Sequence, residues 1–407
     1  MTAVTNHELY LRSPEMAVRT VDELRDVNAG MYPAYYMETD DRLRVSTSAA
    51  ALIASSGAIE PNDSFSPPEW LAAERKHPIR EWGETLLWPY TPLAIKRPYR
   101  ALRDRITDDV DHWYPSWETI DRRVNRLRPF ETVRNGERTR SFEPTTSLTR
   151  TRLIERSVAE LTRFINGVER QFPTHHHVIS MGGKDSQLIS LVPKVSDRWH
   201  VFSAEPNAPL VEEFLDRNDI DVGRRFHHDN ENEETPAQLR AKLRSNDLYS
   251  NPRHLRWLPK YDAIAERFDG KVIFWNGTEA DALYSYHPDF DVSPTEYFEL
   301  HFSRASSWQG MTHAAVKNYT GAPLLSPYHS ESIWENLYRH YDPSVISPGD
   351  DLRDDLGERL HGEPVWWPDE SPTPDPYTYG AETPTDLRST YLDAIRELTD
   401  GIRPERD

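Results

Sequence analysis

The sequence predicts an α/β protein in which an open, mainly parallel sheet follows a β-rich N-terminal region. Apolar segments of strand length alternate with helical segments from residue 175 onward. Strands separated by helices pair in parallel through right-handed crossovers. Residues 1–147 have another pattern, with short strand-like segments between polar turns. A long amphipathic stretch lies between the two regions, so we expect two structural units joined by a helix.

The N-terminal unit, residues 1–147, carries strand signals at residues 34–37 and at Leu43–Ser46. Near its end, Asn135-Gly136 is a residue pair that favours a tight hairpin turn between two short strands. Together these signals predict a β-rich domain.

The second unit, residues 148–365, begins with a helix predicted over residues 149–172, where apolar residues recur at helical spacing before Pro173. Alternating elements follow. Strands are expected at 177–181, Trp199–Ala204, Arg225–His228 and 271–275, and helices at 186–192, 210–217, 237–248 and 255–268. Residues 366–407 read as a Pro-rich tail with a terminal helix over 386–401.

Composition sets the first limits on function. The 407 residues are 37% hydrophobic, enough for two or three packed domains. The N-terminus lacks signal-peptide features, and no apolar run reaches the length of about eighteen residues that a membrane span needs, so we expect a cytoplasmic protein. The chain has no cysteine, which excludes disulfides, zinc–thiolate sites and cysteine nucleophiles.

Charge narrows the range of partners. The net charge is −19, and only 8 of the 48 basic side chains are lysine. Few lysines, many carboxylates and no cysteine are typical of salt-loving archaea, with high-GC bacteria as the alternative source. Nucleic acid is not an expected partner, because a phosphate backbone requires a basic surface.

The strongest functional signal is Met-Gly-Gly-Lys-Asp-Ser at residues 181–186, between a predicted strand and a predicted helix. Two glycines let the backbone approach an anion closely. The helix start supplies N–H donors and partial positive charge, to which Lys184 and Ser186 add a cation and a hydroxyl. Asp185 suits such a pocket if it holds Mg²⁺ bound to phosphates. The segment predicts a phosphate-binding loop; the alternative is a tight strand-to-helix turn.

The spacing in this loop differs from that of two common nucleotide motifs. It is neither the Gly-x-x-x-x-Gly-Lys-Ser/Thr of the Walker loop nor the Gly-x-Gly-x-x-Gly of dinucleotide-binding folds. It resembles the Ser-Gly-Gly-x-Asp-Ser loop of the ATP pyrophosphatases, the PP-loop superfamily. Residues 120–144, 271–284 and 324–335 add a narrower similarity to the asparagine synthetase family, which covers roughly residues 30–360.

This resemblance implies a fold and a set of ligands. An adenine nucleotide alpha-hydrolase-like sheet would follow a degenerate glutamine-amidotransferase-like domain of the Ntn type. The ligands would be ATP and Mg²⁺, the latter on Asp185 and Asp281. The residues implied to bind the nucleotide are Ser180, Gly182, Gly183, Lys184, Asp185, Ser186, Val201, Phe202, Ser203 and Gly277. Catalytic roles are implied for Lys184, Glu279 and Tyr284, the last two as candidate bases by position only.

Several positions depart from the family pattern. Met181 stands where the family has Ser. In the acidic loop Glu279 is displaced by one residue, and the family's Glu directly after the Asp is absent, since Ala282 follows Asp281. The family's Lys before a Leu-Arg pair is absent, and Arg353 is the candidate substitute.

The function that the resemblance implies is an ATP-dependent ligase. It would adenylylate a small-molecule or peptide carboxylate and form an amide with an amine or ammonia, releasing AMP and pyrophosphate. Glutamine hydrolysis is not expected, because the N-terminal Cys of glutamine-using relatives is missing. Two alternatives stay open: a non-catalytic ATP-binding protein, and a tRNA-modifying enzyme of the same superfamily. A homodimer is also compatible with the sequence.

Two ring-rich segments have structural explanations. His175, His176 and His177 would alternate between the faces of a strand, so they cannot all bind one metal ion. The pair Trp366-Trp367 is expected to pack the tail against the domain.

Overall fold

The computed structural model describes residues 2–13, 17–39, 42–62, 65, 117–140, 142–145, 147–205, 207–228, 235–247, 255, 257–285, 310–342, 345–346, 350–368 and 393–397. This part of the chain is mixed α/β, with a five-stranded parallel sheet and a separate, mainly antiparallel β region. Within it, no helix combines the length and the apolarity that crossing a bilayer requires.

The N-terminal β region consists of two four-stranded sheets, in the orders β1-β3-β7-β8 and β2-β5-β4-β6. Every neighbouring pair is antiparallel except β1 and β3. The strands are β1 (Ala3–Thr5), β2 (Arg19–Val21), β3 (Glu23–Arg25), β4 (Tyr35–Glu38), β5 (Leu43–Ser46), β6 (Val124–Arg126), β7 (Glu131–Arg134) and β8 (Glu137–Arg140), with helices α1 (Asn6–Arg12) and α2 (Ala49–Ser55). The predicted hairpin is confirmed: Asn135 and Gly136 join β7 to β8 with positive φ angles.

The parallel sheet has the strand order β11-β10-β9-β12-β13. Its strands are β9 (His176–Ser180), β10 (Trp199–Ala204), β11 (Arg225–His228), β12 (Val272–Trp275) and β13 (Leu324–Leu325). The accompanying helices are α3 (Arg150–Gln171), α4 (Lys184–Leu191), α5 (Ala208–Arg217), α6 (Pro236–Asn246), α7 (Leu258–Arg267), α8 (Ala280–Tyr284), α9 (Gly310–Thr320), α10 (Glu331–Asn336) and α11 (Leu352–His361), with single 3₁₀ turns at Pro327–His329 and Tyr338–His340.

This order places the first and fourth strands of the sheet side by side. From β9, the sheet continues through β10 to β11 at one edge, and through β12 to β13 at the other edge. The point where the order reverses lies between β9 and β12. Open parallel sheets bind ligands outside the carboxyl ends of the strands at such a point.

The strands of this sheet other than the edge strand β11 are mostly buried on both faces. In β9, His176 stacks on His200 and Phe268 on one face, while His177 stacks on Trp199 on the other. The expected alternation of these histidines is therefore confirmed, and they lie at the amino end of the sheet.

Contacts from the N-terminal region cover the edge strand β13. The hydroxyl of Tyr10 accepts from the N–H of Leu324 at 2.9 Å and lies 2.8 Å from the carbonyl oxygen of His313. Tyr32 stacks on Tyr10 and reaches the N–H of Ser326 at 3.3 Å. An edge strand left open would expose unpaired backbone groups, which these tyrosines satisfy.

Most predicted elements are confirmed with small shifts, and three differ in ways that matter. Helix α4 begins at Lys184 rather than at residue 186, so Lys184 and Asp185 belong to its first turn. The two-residue strand β13 was not predicted. Of the predicted terminal helix, residues 393–397 are helical and the remainder lies outside the described residues.

Candidate active site

The loop after β9 is closed by the side chain of Ser186. The N–H of Gly182 donates to its Oγ at 2.9 Å, and that hydroxyl donates to the carbonyl oxygen of Gly183 at 2.9 Å. Gln187 adds a bond from Nε2 to the carbonyl oxygen of Gly182 at 3.0 Å. The predicted donor Ser186 therefore shapes the loop itself in this structure.

Neither glycine of the loop is required by the backbone. Gly183 caps α4 with φ −93° and ψ −172°, an extended conformation open to any residue. A Cβ on Gly183 would meet nothing within 4 Å, and one on Gly182 would lie 3.6 Å from Nδ2 of Asn207. No side chain caps the first turn of α4. Helix starts of this kind leave N–H groups available to an anion.

The loop after β12 touches the first loop without an intervening side chain. A Cβ on Gly277 would lie 2.3 Å from the backbone nitrogen of Ser186 and from the carbonyl carbon of Asp185. Glycine is required here by close approach, since real Cβ atoms do not come so near to backbone. The two predicted loops are thus brought together, as their places after neighbouring strands suggested.

Asp185 is the carboxylate at the centre of this junction. Its side chain is 30% exposed. Burial raises the pKa of Asp185 to about 6, with Arg353 opposing the rise and the Asp281 and Asp351 carboxylates adding to it. The influence of Asp281 indicates that the two predicted metal ligands are close enough to interact electrostatically.

Arg353 reaches the junction from the second residue of α11. Its Nη1 lies 2.6 Å from Oδ1 of Asp185. Asp351 holds the same guanidinium through both carboxylate oxygens at 2.8 Å, and also caps the helix by accepting from the N–H of Arg353. Bidentate hydrogen bonding of this kind fixes the orientation of a planar guanidinium. The predicted substitute cation is therefore at the loop.

Lys184 is also held by α11. Its Nζ lies 2.8 Å from Asp354 and 3.5 Å from Asp351. The ring of Trp367 lies 5.4 Å from the same ammonium group, and Trp367 packs on Phe214 and against Gly357. The tail therefore packs against the domain at this point, as expected for the tryptophan pair.

The two candidate bases are buried. Glu279 is 1% exposed and has a positive φ of 73°, a conformation that costs energy for a residue with a side chain. Tyr284 is fully buried, and burial raises the pKa of its hydroxyl. Because a base must reach its substrate, these assignments stay predictions.

The residues predicted to meet the adenosine lie on the strands beside the loop. Val201 and Phe202 are buried on opposite faces of β10, and Ser203 lies beside His227 in the next strand. Ser180, the last residue of β9, is a hydrogen-bond partner of Tyr261. Of this set, Ser180 and Ser203 lie toward the carboxyl ends of their strands, on the same edge as the two loops.

A single Mg²⁺ ion fits the carboxylates present. Asp185 and Asp281 supply the hard oxygen ligands that this ion prefers, and among the described residues Oδ2 of Asp185 makes no hydrogen bond. No group of three or more His, Asp or Glu side chains in the same part of the chain could hold a metal ion. Mg²⁺ commonly binds through one or two carboxylates and substrate phosphates. The donor set thus suits a metal that arrives with a nucleotide.

Sequence reasoning missed the groups that hold the loops from a distance. The two loops or their charged side chains are contacted by Asp351, which caps α11, by Asp354 in its first turn, and by the hydroxyls of Ser326 and Tyr328. These groups lie far from residues 181–186 in sequence, and no local pattern marks them. The only signals were residues 324–335 and the pair Leu352-Arg353, both through the family resemblance.

No protein-family model matches this chain. A search of curated proteins likewise finds no relative. The likeness of residues 181–186 to a pyrophosphate loop therefore stays a prediction that the site must support by itself.

Proposed function

We propose that the chain is an asparagine synthetase-like, ATP-dependent ligase that adenylylates a carboxylate and then forms an amide bond without hydrolysing glutamine. In this proposal the parallel sheet is of the adenine nucleotide alpha-hydrolase type and the N-terminal region is a degenerate Ntn-type domain. One observation carries it: a glycine loop and an acidic loop follow neighbouring strands at the reversal of the strand order and touch through Gly277.

The glycine loop has the features of a pyrophosphate site. A side chain could be placed at Gly182 or Gly183 without a clash, so the space beside their backbone is open to a ligand. The start of α4, which no side chain caps, follows them directly. Lys184 and Arg353 are cations at that helix start. Amides, a helix dipole and cations together stabilise the charge that develops on departing pyrophosphate.

The charge at the junction favours ATP as its magnesium complex. Four carboxylates face two cations there, namely Asp185, Asp281, Asp351 and Asp354 against Lys184 and Arg353. A free triphosphate would add further negative charge to this set and be repelled. Mg²⁺ on Asp185 and Asp281 would supply charge neutralisation at the phosphates.

The reaction proceeds in two displacements. A carboxylate oxygen of the acid attacks the α-phosphorus, and the bond from phosphorus to pyrophosphate breaks. An amine nitrogen then attacks the acyl carbon of the adenylate, AMP leaves, and the amine gives a proton to a base. Glu279 is the candidate for that base if the buried loop opens to the substrate, because the raised pKa of the Tyr284 hydroxyl keeps that predicted base protonated.

A non-catalytic ATP-binding protein is the second candidate, and one observation favours it. Lys184 and Asp185 already form ion pairs with Asp354 and Arg353. A nucleotide would have to displace or share these partners, which lowers its affinity. Binding without turnover would then be the outcome.

Nucleotide product analysis separates the two. The protein is incubated with ATP, Mg²⁺ and a metabolite extract at high KCl concentration, and AMP and pyrophosphate are quantified. We expect both products from the wild type and neither from Asp185→Asn, while Asp216→Asn, at an exposed position of α5, keeps wild-type output. ATP binding without AMP from any extract would favour the non-catalytic candidate. Equal AMP from Asp185→Asn would remove the metal assignment.

A further inference from the structure

The segment after β13 lies against both loops of the site. Strands β12 and β13 are parallel, and the N–H of Asn276 donates to the carbonyl oxygen of Leu325 at 2.9 Å. The chain beyond Leu325 therefore leaves the sheet at the same edge as the acidic loop. Its first residues form the 3₁₀ turn Pro327–His329, which is fully buried.

Ser326 is tied to the acidic loop. Its Oγ donates to the carbonyl oxygen of Thr278 at 2.8 Å. Thr278 stands between Gly277 and Glu279, three residues before the candidate metal ligand Asp281. This buried hydroxyl thus fixes the backbone of the acidic loop at its middle.

Tyr328 is tied to the glycine loop. Its hydroxyl donates to the carbonyl oxygen of Asp185 at 2.9 Å, and its ring meets the edge of Tyr284 in α8 at a centroid distance of 6.0 Å. Tyr328 thus fixes the backbone of the glycine loop at Asp185.

Two residues of one short segment therefore hold the backbones that carry the two carboxylates. The loops also touch at Gly277, where no side chain separates them. We infer that Ser326 and Tyr328 are positioning residues that set the separation of the Asp185 and Asp281 carboxylates, and that this separation selects Mg²⁺ over larger divalent cations. The inference rests on the proposed nucleotide site.

The selection follows from the geometry that the ions require. Mg²⁺ needs near-ideal octahedral oxygen ligands at about 2.0–2.1 Å, whereas Ca²⁺ accepts six to eight oxygens at about 2.3–2.6 Å in flexible arrangements. Loosening one loop should therefore weaken Mg²⁺ binding more than Ca²⁺ binding. A residue with only a structural role would weaken both equally.

The test measures the affinity of the full-length protein for Mg-ATP and for Ca-ATP by calorimetry. Tyr328→Phe and Ser326→Ala each remove one hydroxyl and leave the packing of the segment nearly unchanged. For each variant we expect Mg-ATP affinity to fall by about tenfold, the size of one buried hydrogen bond, and Ca-ATP affinity to change less than about twofold. Tyr36→Phe, a buried tyrosine of the N-terminal sheets, is the matched control and should change neither affinity.

Each result decides the inference. Parallel losses for both ions in both variants, or no loss in either variant, would overturn it. Thermal unfolding of each variant identifies a folding defect, and in that event the other variant decides. The variant Asp185→Asn distinguishes a failure of this inference from a failure of the proposed function. If Asp185→Asn binds Mg-ATP as the wild type does, the proposed site itself is wrong. If Asp185→Asn loses binding while the two hydroxyl variants keep their preference for Mg²⁺, only the positioning role is wrong.

Discussion

Nη1 of Arg353 lies 2.6 Å from Oδ1 of Asp185, although 168 residues separate them in the chain. Arg353 is only 13% exposed and Asp351 grips it with both carboxylate oxygens. The guanidinium therefore occupies one of the two carboxylate oxygens that a cation bound to Asp185 could use. Any metal ion at Asp185 must share the carboxylate with this arginine or displace it.

Replacing Arg353 should consequently improve binding of the bare metal ion. Arg353→Gln removes a positive charge beside Asp185 and keeps a side chain that can hydrogen-bond to Asp351. Unit charges of opposite sign about 4 Å apart near a protein surface attract each other by roughly 1–4 kcal/mol. Because Mg²⁺ would no longer compete with Arg353 for the Asp185 carboxylate, Mg²⁺ without nucleotide should bind about tenfold tighter. Calorimetry with Mg²⁺ alone checks this, with exposed Arg152→Gln as control. Weaker or unchanged Mg²⁺ binding would mean that the arginine and the metal do not compete.

Gly277→Ala should damage the fold and the site together. The new Cβ would lie 2.3 Å from backbone atoms of Asp185 and Ser186, so the two loops must separate. Overpacking of this kind typically costs about 1–3 kcal/mol of unfolding free energy. Urea unfolding measures that loss, and ATP binding should fall with it. Gly167→Ala, on the open side of α3, should instead preserve or raise stability. Wild-type stability in Gly277→Ala would show that the loops can part freely.

Gly183→Ala should have the opposite signature. A Cβ here meets nothing within 4 Å, and the backbone is already extended, so unfolding free energy should change by less than about 0.5 kcal/mol. If phosphates approach this backbone, the methyl group occupies their space, and ATP affinity should fall more than about tenfold. Thermal unfolding and ATP titration of the same preparation give both numbers. Unchanged ATP affinity would argue that the glycine pair serves only a turn.

The two loops of the site could be predicted from the sequence because their signals are local. A strand, two glycines and a helix start within residues 177–192 determine where the loop lies, and alternating elements determine a parallel sheet. The acidic loop could be placed because it follows another buried strand. Only the start of α4 was misplaced, since Lys184 and Asp185 are within its first turn.

The groups that hold the loops could not be predicted in the same way. Tyr328 and Asp351 act across more than 140 residues, and their contacts depend on how α11 and the segment after β13 pack. Arg353 could be named as a candidate cation only through the family resemblance. The strand β13 has two residues, too few for periodicity to reveal. Its edge is satisfied by Tyr10, a contact that only the folded chain creates.

Asp247 should contribute to stability across the two regions of the protein. It follows α6 with a left-handed backbone, and its carboxylate accepts from the N–H groups of Ala49 and Ala50 at the start of α2. Removing a buried charged acceptor from two donors costs about 2–3 kcal/mol, so Asp247→Ala should lose that amount in urea unfolding. Asp247→Asn keeps one oxygen and tolerates the left-handed backbone, and should lose about half as much. A full loss in Asp247→Ala beside no loss in Asp247→Asn would show that the backbone conformation, not the cap, sets the cost.

His177 should make the protein lose stability as the pH falls. Its Nδ1 accepts from Nε1 of Trp275 at 3.2 Å, which requires a neutral ring at that atom, and its face stacks on Trp199 at 4.7 Å. Burial lowers the pKa of His177 to about 3, below the usual 6.5. The folded state therefore binds fewer protons than the unfolded state, so this contribution is complete above pH 6.5 and is lost as the pH falls toward 3.

Urea unfolding at about pH 7.5 and about pH 5 tests this within a window above the ordinary range of most carboxyl groups. The wild type should lose about 2 kcal/mol more between these two values than His177→Phe, which fills the same space without a titrating ring. Other buried histidines titrate in both proteins and cancel in the difference. His227→Gln, at a half-exposed position, should retain the full wild-type loss. If His177→Phe loses as much stability as the wild type does, the ring of His177 already accepts a proton in the folded state and its bond from Trp275 does not hold it neutral.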